Sequence, residues 1–114
     1  MVAEVREWLH RLPQTDRATL LAISDALTVL RVVGPGLGRP LVDRIAGSSL
    51  HNLKELRPAS TGSTEVRILF VSDPRRRAVL LVAGDKSGQW RHWYSEATRQ
   101  AQKRYQAYLK ETGQ

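Results

Sequence analysis

Two apolar runs on either side of a four-residue turn constrain this chain more than any other feature. Residues Glu65–Ser72 alternate, with Val66, Ile68 and Phe70 on one side and Arg67, Leu69 and Val71 on the other. A period of two marks a strand, because successive side chains point to opposite faces. Arg77–Gly84 is a Val/Leu-rich run of the kind found in strands covered on both faces. Asp73-Pro74-Arg75-Arg76 between them is turn chemistry, since proline presets the φ of the second position of a tight turn. The pair is therefore expected to be an antiparallel hairpin with Arg75, Arg76 and Arg77 at its tip. A further strand is expected at Leu50–Arg57, closed by Pro58. In it Lys54 and Leu56 share one face, while Leu53, Glu55 and Arg57 share the other.

Helical signals flank these strands. Val5, Trp8, Leu9 and Leu12 repeat at i, i+3, i+4 and i+7, and Pro13 stops the pattern because it has no N–H to continue the ladder. Thr15 or Asp16 can cap a second helix, whose Leu20, Ile23, Leu27 and Leu30 form a stripe ending near Val33, before Gly34-Pro35-Gly36. Pro35–Ser49 reads as a crossing loop with at most a turn of helix near Leu41–Ile45, and Asp85–Trp93 as another loop. Ser95 is expected to cap a last helix with Ala97, Ala101, Tyr105 and Tyr108 on one face. The order helix, helix, three strands, helix with short links predicts an α+β fold: a small antiparallel sheet of three to four strands, packed by an N-terminal helical hairpin and a C-terminal helix.

Length and composition narrow the function. The 114 residues are expected to form one domain, 1–114, and 41% of them are hydrophobic, enough for a single core. With no cysteine, disulfides, thiolate metal sites and a cysteine nucleophile are excluded. The longest uninterrupted apolar stretch, Ala78–Ala83, falls far short of the ~20 residues of a membrane span, and no secretory signal is visible. A soluble cytoplasmic protein with no membrane partner is the expectation. Residues 1–34 carry four basic and four acidic side chains, whereas residues 35–114 carry fourteen basic and seven acidic, so the whole net +7 lies there. A field of that sign attracts polyanions, of which nucleic acid is the commonest.

Most enzyme motifs are missing. Gly34-Pro35-Gly36-Leu37-Gly38 follows a helix rather than a strand, and Pro35 removes a backbone donor, so it reads as a turn and not a phosphate cradle. His10, His51 and His92 lack metal-ligand spacing. What remains is a set of basic residues on or beside the sheet, Lys54, Arg57, Arg67 and Lys86, followed by His92, Trp93 and Tyr94. Arg67 is unusual: a guanidinium amid Val, Ile, Leu and Phe needs a solvated groove or a partner, and Glu55 across the strands could supply the partner.

Leu53-Lys54-Glu55-Leu56-Arg57, Val66-Arg67-Ile68-Leu69-Phe70 and Val79–Ser87 resemble the RelE/HigB family of toxins of bacterial type II toxin–antitoxin systems. The likeness is closer to its phage-derived HigB-like branch, through Asp73-Pro74-Arg75-Arg76, Gly84-Asp85-Lys86, Trp90–Tyr94, Glu7-Trp8-Leu9 and Leu37-Gly38-Arg39-Pro40, and it covers roughly residues 5–110. The resemblance implies a RelE-like fold and metal-independent endoribonuclease activity on mRNA, cut on the translating ribosome, with no cofactor. It implies inhibition by a cognate antitoxin, usually a small helix-turn-helix DNA-binding protein. By the same resemblance Arg57, Arg67 and Lys86 are candidate catalytic residues, and their chemistry adds His92 and Tyr94 as candidate proton donors or acceptors; Lys54 and Trp93, with the basic hairpin tip Arg75, Arg76 and Arg77, are candidate RNA contacts. Such toxins commonly begin with a strand ahead of the first helix. Here only Met1 and Val2 stand in its place, so the expected sheet has an exposed edge suited to a second copy or to antitoxin. Two other readings stand beside it: a non-catalytic nucleic-acid-binding protein that uses the same basic face, and a degenerate toxin that retains only antitoxin binding.

Overall fold

The computed structural model describes residues 1–60, 62 and 64–113. Three helices, α1 (Ala3–His10), α2 (Arg17–Val33) and α3 (Trp90–Thr112), enclose a four-stranded sheet of β1 (Val42–Arg44), β2 (Lys54–Leu56), β3 (Val66–Ser72) and β4 (Ala78–Asp85). The strands are antiparallel and lie in chain order, β1-β2-β3-β4. The predicted α+β class and hairpin therefore hold, and β3 and β4 pair along almost their whole length.

Alternation along β3 divides the core into two layers. Val66, Ile68 and Phe70 pack with Val5 of α1 and Ile23, Ala26 and Leu30 of α2. Leu69 and Val71 pack with Leu53, Leu81, Val82, and Ala97 and Ala101 of α3. The sheet is thus covered on both sides, which accounts for the unbroken apolar character of β4. Leu69 faces Val82 and Phe70 faces Leu80, so Leu81 is an extra residue in the ladder. That bulge lets Leu81 and Val82 both belong to the α3 layer, and Arg104 Nη1 donates to the Leu81 carbonyl at 2.9 Å.

The helix ends show where local signals worked. Asp16 caps α2, accepting from the Thr19 backbone N–H at 3.3 Å. The run Arg17–Gly36 is long and apolar enough to cross a bilayer by length and composition, which a search for uninterrupted apolar stretches misses because Asp25 and Arg31 break it. In the fold Ile23, Ala26 and Leu30 pack against the sheet, while Leu21, Val32 and Val33 on its outer side stay exposed.

Three expectations need correction. Val42–Arg44 is an edge strand, not loop or helix: only Val42 of the three is buried, too little for a visible period. The strand expected at Leu50–Arg57 shrinks to Lys54–Leu56, because residues up to Asn52, at φ +60°, form a turn in which Leu53 N–H donates to the Leu50 carbonyl. The last helix starts at Trp90, five residues ahead of Ser95, which is an exposed residue within it and caps nothing. At the other edge, Val2 N–H donates to the Leu80 carbonyl at 3.0 Å, so β4 is touched by the chain ahead of α1.

Candidate active site

The β2–β3 register brings the basic residues together. Glu55 pairs with Leu69 and Leu56 with Ile68, and Arg67, two residues before Leu69, shares the sheet face that α3 covers, with Arg57 just past the end of β2. Across the other ladder Arg67 pairs with Gly84. A Cβ at Gly84 would stand 2.4 Å from the indole Nε1 of Trp93, so the missing side chain is what seats that ring against β4. Trp93 meets Tyr94 edge-on at 5.1 Å. Lys86, one residue past β4, holds its Nζ 5.5 Å from the Tyr94 ring centroid.

At the centre the Tyr94 hydroxyl donates to Glu55 Oε2 at 2.5 Å. Burial, then the hydrogen bond and charge of Glu55, push the Tyr94 pKa well above the ordinary phenol value, with Arg67 partly offsetting them. The phenol is therefore protonated across the physiological range and acts as a donor. Glu55 Oε1 lies 3.8 Å from Arg57 Nε, and Arg57 Nη1 lies 3.8 Å from Asp43 Oδ2, both too long for hydrogen bonds. Asp43 has its own partner, Arg39, at 3.1 Å, and this guanidinium with the Arg44 backbone N–H holds its carboxyl below the usual range.

Arg67 is the outlier. The residue is 8% exposed, and its Nη1 donates to the carbonyl of Val66 at 2.8 Å. Its Nε is buried with no hydrogen-bond partner, and among the described residues no carboxylate lies within ion-pair distance of it. The cross-strand pair with Glu55 is not formed, because Glu55 turns to Tyr94 and Arg57 instead. Such a buried donor is costly to leave unmade.

A cleft of about 700 Å³ opens beside this group, lined by Glu55, Tyr94, Arg44, Trp90, Thr98 and Arg99 among others. Arg99 is paired with Glu96. Trp90 is 54% exposed, with the Arg91 guanidinium 5.3 Å from its ring.

Arg57, Arg67, Lys86 and Tyr94 thus converge, and the others lie elsewhere. His92 is exposed and two residues from Tyr94, which on a helix turns it to a different side. Lys54 is on the opposite face, where its Nζ donates to the Pro35 carbonyl at 3.0 Å. Trp93 is committed to packing on Gly84, whereas Trp90 offers its ring to the cleft. Arg75, Arg76 and Arg77 sit beyond the far end of β3, ~20 Å from Arg67 at the rise of a strand. From the sequence Glu55 reads only as a partner for Arg67, whereas in the fold its carboxylate lies between Tyr94 and Arg57. The signal was present, since Glu55 is the single acid on the strand face that carries Arg57.

Fold and site together define an α+β protein that gathers guanidinium and ammonium groups around a carboxylate–phenol pair on one face of an antiparallel sheet. The chain belongs to the family described as Phage derived protein Gp49-like, whose model matches residues 7–106, and the HigB-like resemblance of its motifs holds. It is 45% identical over 108 residues to a Mycobacterium tuberculosis protein named "Putative toxin HigB2", covering 95% of this chain and 52% of that protein. It is 40% identical over 109 residues to "Putative toxin HigB3" of the same organism, covering 96% of this chain and 90% of that one. The chain therefore spans about half the length of the first relative and most of the second. No solved structure matches it significantly.

Proposed function

We propose that this chain is the toxin of a toxin–antitoxin pair and a metal-independent endoribonuclease. It acts as one domain in the cytoplasm, cutting mRNA on the ribosome and so stopping translation, and a cognate antitoxin neutralises it. The observation that carries the reading is the Arg67 guanidinium, buried without a carboxylate beside the Tyr94–Glu55 pair. A charge so placed is stabilised when a phosphate arrives, and a guanidinium grips phosphate in two places.

Cleavage without a metal uses the ribose 2′-hydroxyl as nucleophile on the adjacent phosphorus. Glu55 takes the hydroxyl proton on Oε1, since its Oε2 already accepts from Tyr94. The P–O5′ bond breaks as the P–O2′ bond forms, giving a 2′,3′-cyclic phosphate and a free 5′-hydroxyl. Lys86 or Tyr94 returns a proton to the leaving 5′-oxygen, and Arg57 and Arg67 hold the charge that builds on the phosphorane. Trp90 stacks a flanking base. The names of the two mycobacterial relatives and the family match support the toxin part of this reading.

The test is induced expression in a bacterium with mapping of mRNA 5′ ends, together with purified protein on model RNA in EDTA. Wild type should arrest growth and yield 5′-hydroxyl fragments, while Arg67→Ala and Glu55→Gln should yield neither. Intact transcripts and normal growth with wild type would overturn the proposal.

A further inference from the structure

A second concavity, of about 440 Å³, lies on the other face of the sheet, between the C-terminal half of α2, the turn after it and the β3–β4 hairpin. Its floor is apolar, with Leu27, Leu30, Pro35 and Leu80, and its rim carries Arg31, Arg76 and Arg77 with no acidic residue among the lining. Arg77 is committed to Asp73 and Tyr108, which leaves Arg31 and Arg76 without an ion pair among the described residues. The outer side of α2 continues the apolar character at Val32 and Val33, which are 79% and 53% exposed. None of this belongs to the Glu55 cleft, which lies between α3, Glu55 and the segment Arg44–Gly47 on the other face of the sheet.

We propose that this groove docks an acidic polypeptide segment with apolar anchors, contributed by the antitoxin; the inference rests on the toxin reading above. The floor takes the apolar side chains and the arginine rim takes flanking carboxylates, a helix-in-groove or extended-segment mode. RNA fits less well, because a phosphate gains nothing from the leucine floor and the lining holds no aromatic ring on which a base could stack. A second copy of this chain is disfavoured by its own net +7 against a basic rim.

The experiment co-expresses the chain with each flanking gene and takes as probe the protein that restores growth. Purified neutraliser should bind wild type and lose at least tenfold in affinity for Arg31→Glu, whose cleavage of model RNA should be unchanged. Photo-crosslinking from p-benzoylphenylalanine in place of Leu27 should capture the neutraliser at an acidic segment. Affinity for Arg31→Glu within twofold of wild type, or no cross-link from position 27 in a complex that forms, overturns the groove proposal alone. Loss of affinity for a 12-nucleotide RNA with the neutraliser unaffected overturns it in favour of RNA. If wild type is harmless and cuts nothing, the toxin reading fails first and the groove loses its partner.

Discussion

Glu55 and Tyr94 form one unit, and their chemistry can be separated by substitution. Glu55→Gln keeps the shape and a hydrogen-bond acceptor but cannot take a proton, so model-RNA cleavage should fall about 10²–10⁴-fold with the fold unchanged by circular dichroism. Tyr94→Phe should cost less in rate if Lys86 supplies the leaving-group proton, and as much if the phenol does; single-turnover rates of Tyr94→Phe and Lys86→Ala decide which. Tyr94 also marks the alkaline side of stability. Its folded pKa is raised, so its contribution is complete below the ordinary phenol value of about 10 and is lost as pH rises above it. Thermal melts should show wild type losing more Tm between pH 9 and 11 than Tyr94→Phe does. Residue by residue, the sequence shows charges on or beside apolar strands at Lys54, Arg57 and Arg67, and its resemblance to the toxin family picks out Arg57, Arg67 and Lys86. It could not reveal that Glu55 turns to a tyrosine thirty-nine positions away, since that choice is made by how α3 docks.

Between elements, two of the contacts that tie α3 to the sheet lie at its opposite ends. Gly84 accepts the Trp93 ring where a methyl group would stand 2.4 Å from it. Gly84→Ala should therefore destabilise the fold by ~1–3 kcal/mol, the usual cost of overpacking, and lower the urea midpoint while leaving the slope unchanged. At the other end the Asp73 carboxylate accepts from the backbone N–H groups of Arg75 and Arg77, from Arg77 Nε at 3.0 Å and from the Tyr108 hydroxyl at 3.2 Å. Burial would raise its pKa, yet the Arg77 backbone and guanidinium and the Tyr108 hydroxyl hold it below the ordinary value. A depressed carboxyl stabilises fully above about pH 4 and loses that contribution as pH falls through its folded value. Asp73→Asn should lower Tm at pH 7 and flatten the decline of Tm between pH 4 and 2. The hairpin and both N-terminal helices were legible because their periodicity, proline and cap are local. The three-residue β1 and the start of α3 were not. Val42–Arg44 is a strand through its pairing with β2, and Trp90–Trp93 opens α3 with Trp93 against Gly84 and Trp90 at the cleft.

For the whole molecule, charge and shape act on different faces. The net +7 arises entirely after residue 34, yet the structure splits those cations between the Glu55 cleft, the far hairpin tip and the face that holds Lys54. Composition foretold the sign of the field and not its partition, because the partition depends on which strand face each residue occupies. Affinity for single-stranded RNA should fall linearly on a log–log plot against salt, with a slope near −0.7 for each phosphate contacted. Arg57→Ala and Lys86→Ala should each make that slope shallower by about 0.7, as each removes one phosphate contact. Glu55→Gln should leave the slope unchanged while slowing cleavage by about 10²–10⁴-fold, because it removes a proton acceptor and no cation. Arg75→Ala should alter neither slope nor rate on a short RNA confined to the cleft, given its place beyond the far end of β3. Fluorescence anisotropy from 50 to 400 mM salt gives the slopes of wild type and all four variants. Equal slopes for Arg57→Ala, Lys86→Ala and wild type would mean that these cations do not meet the phosphates, and that RNA is held on another face.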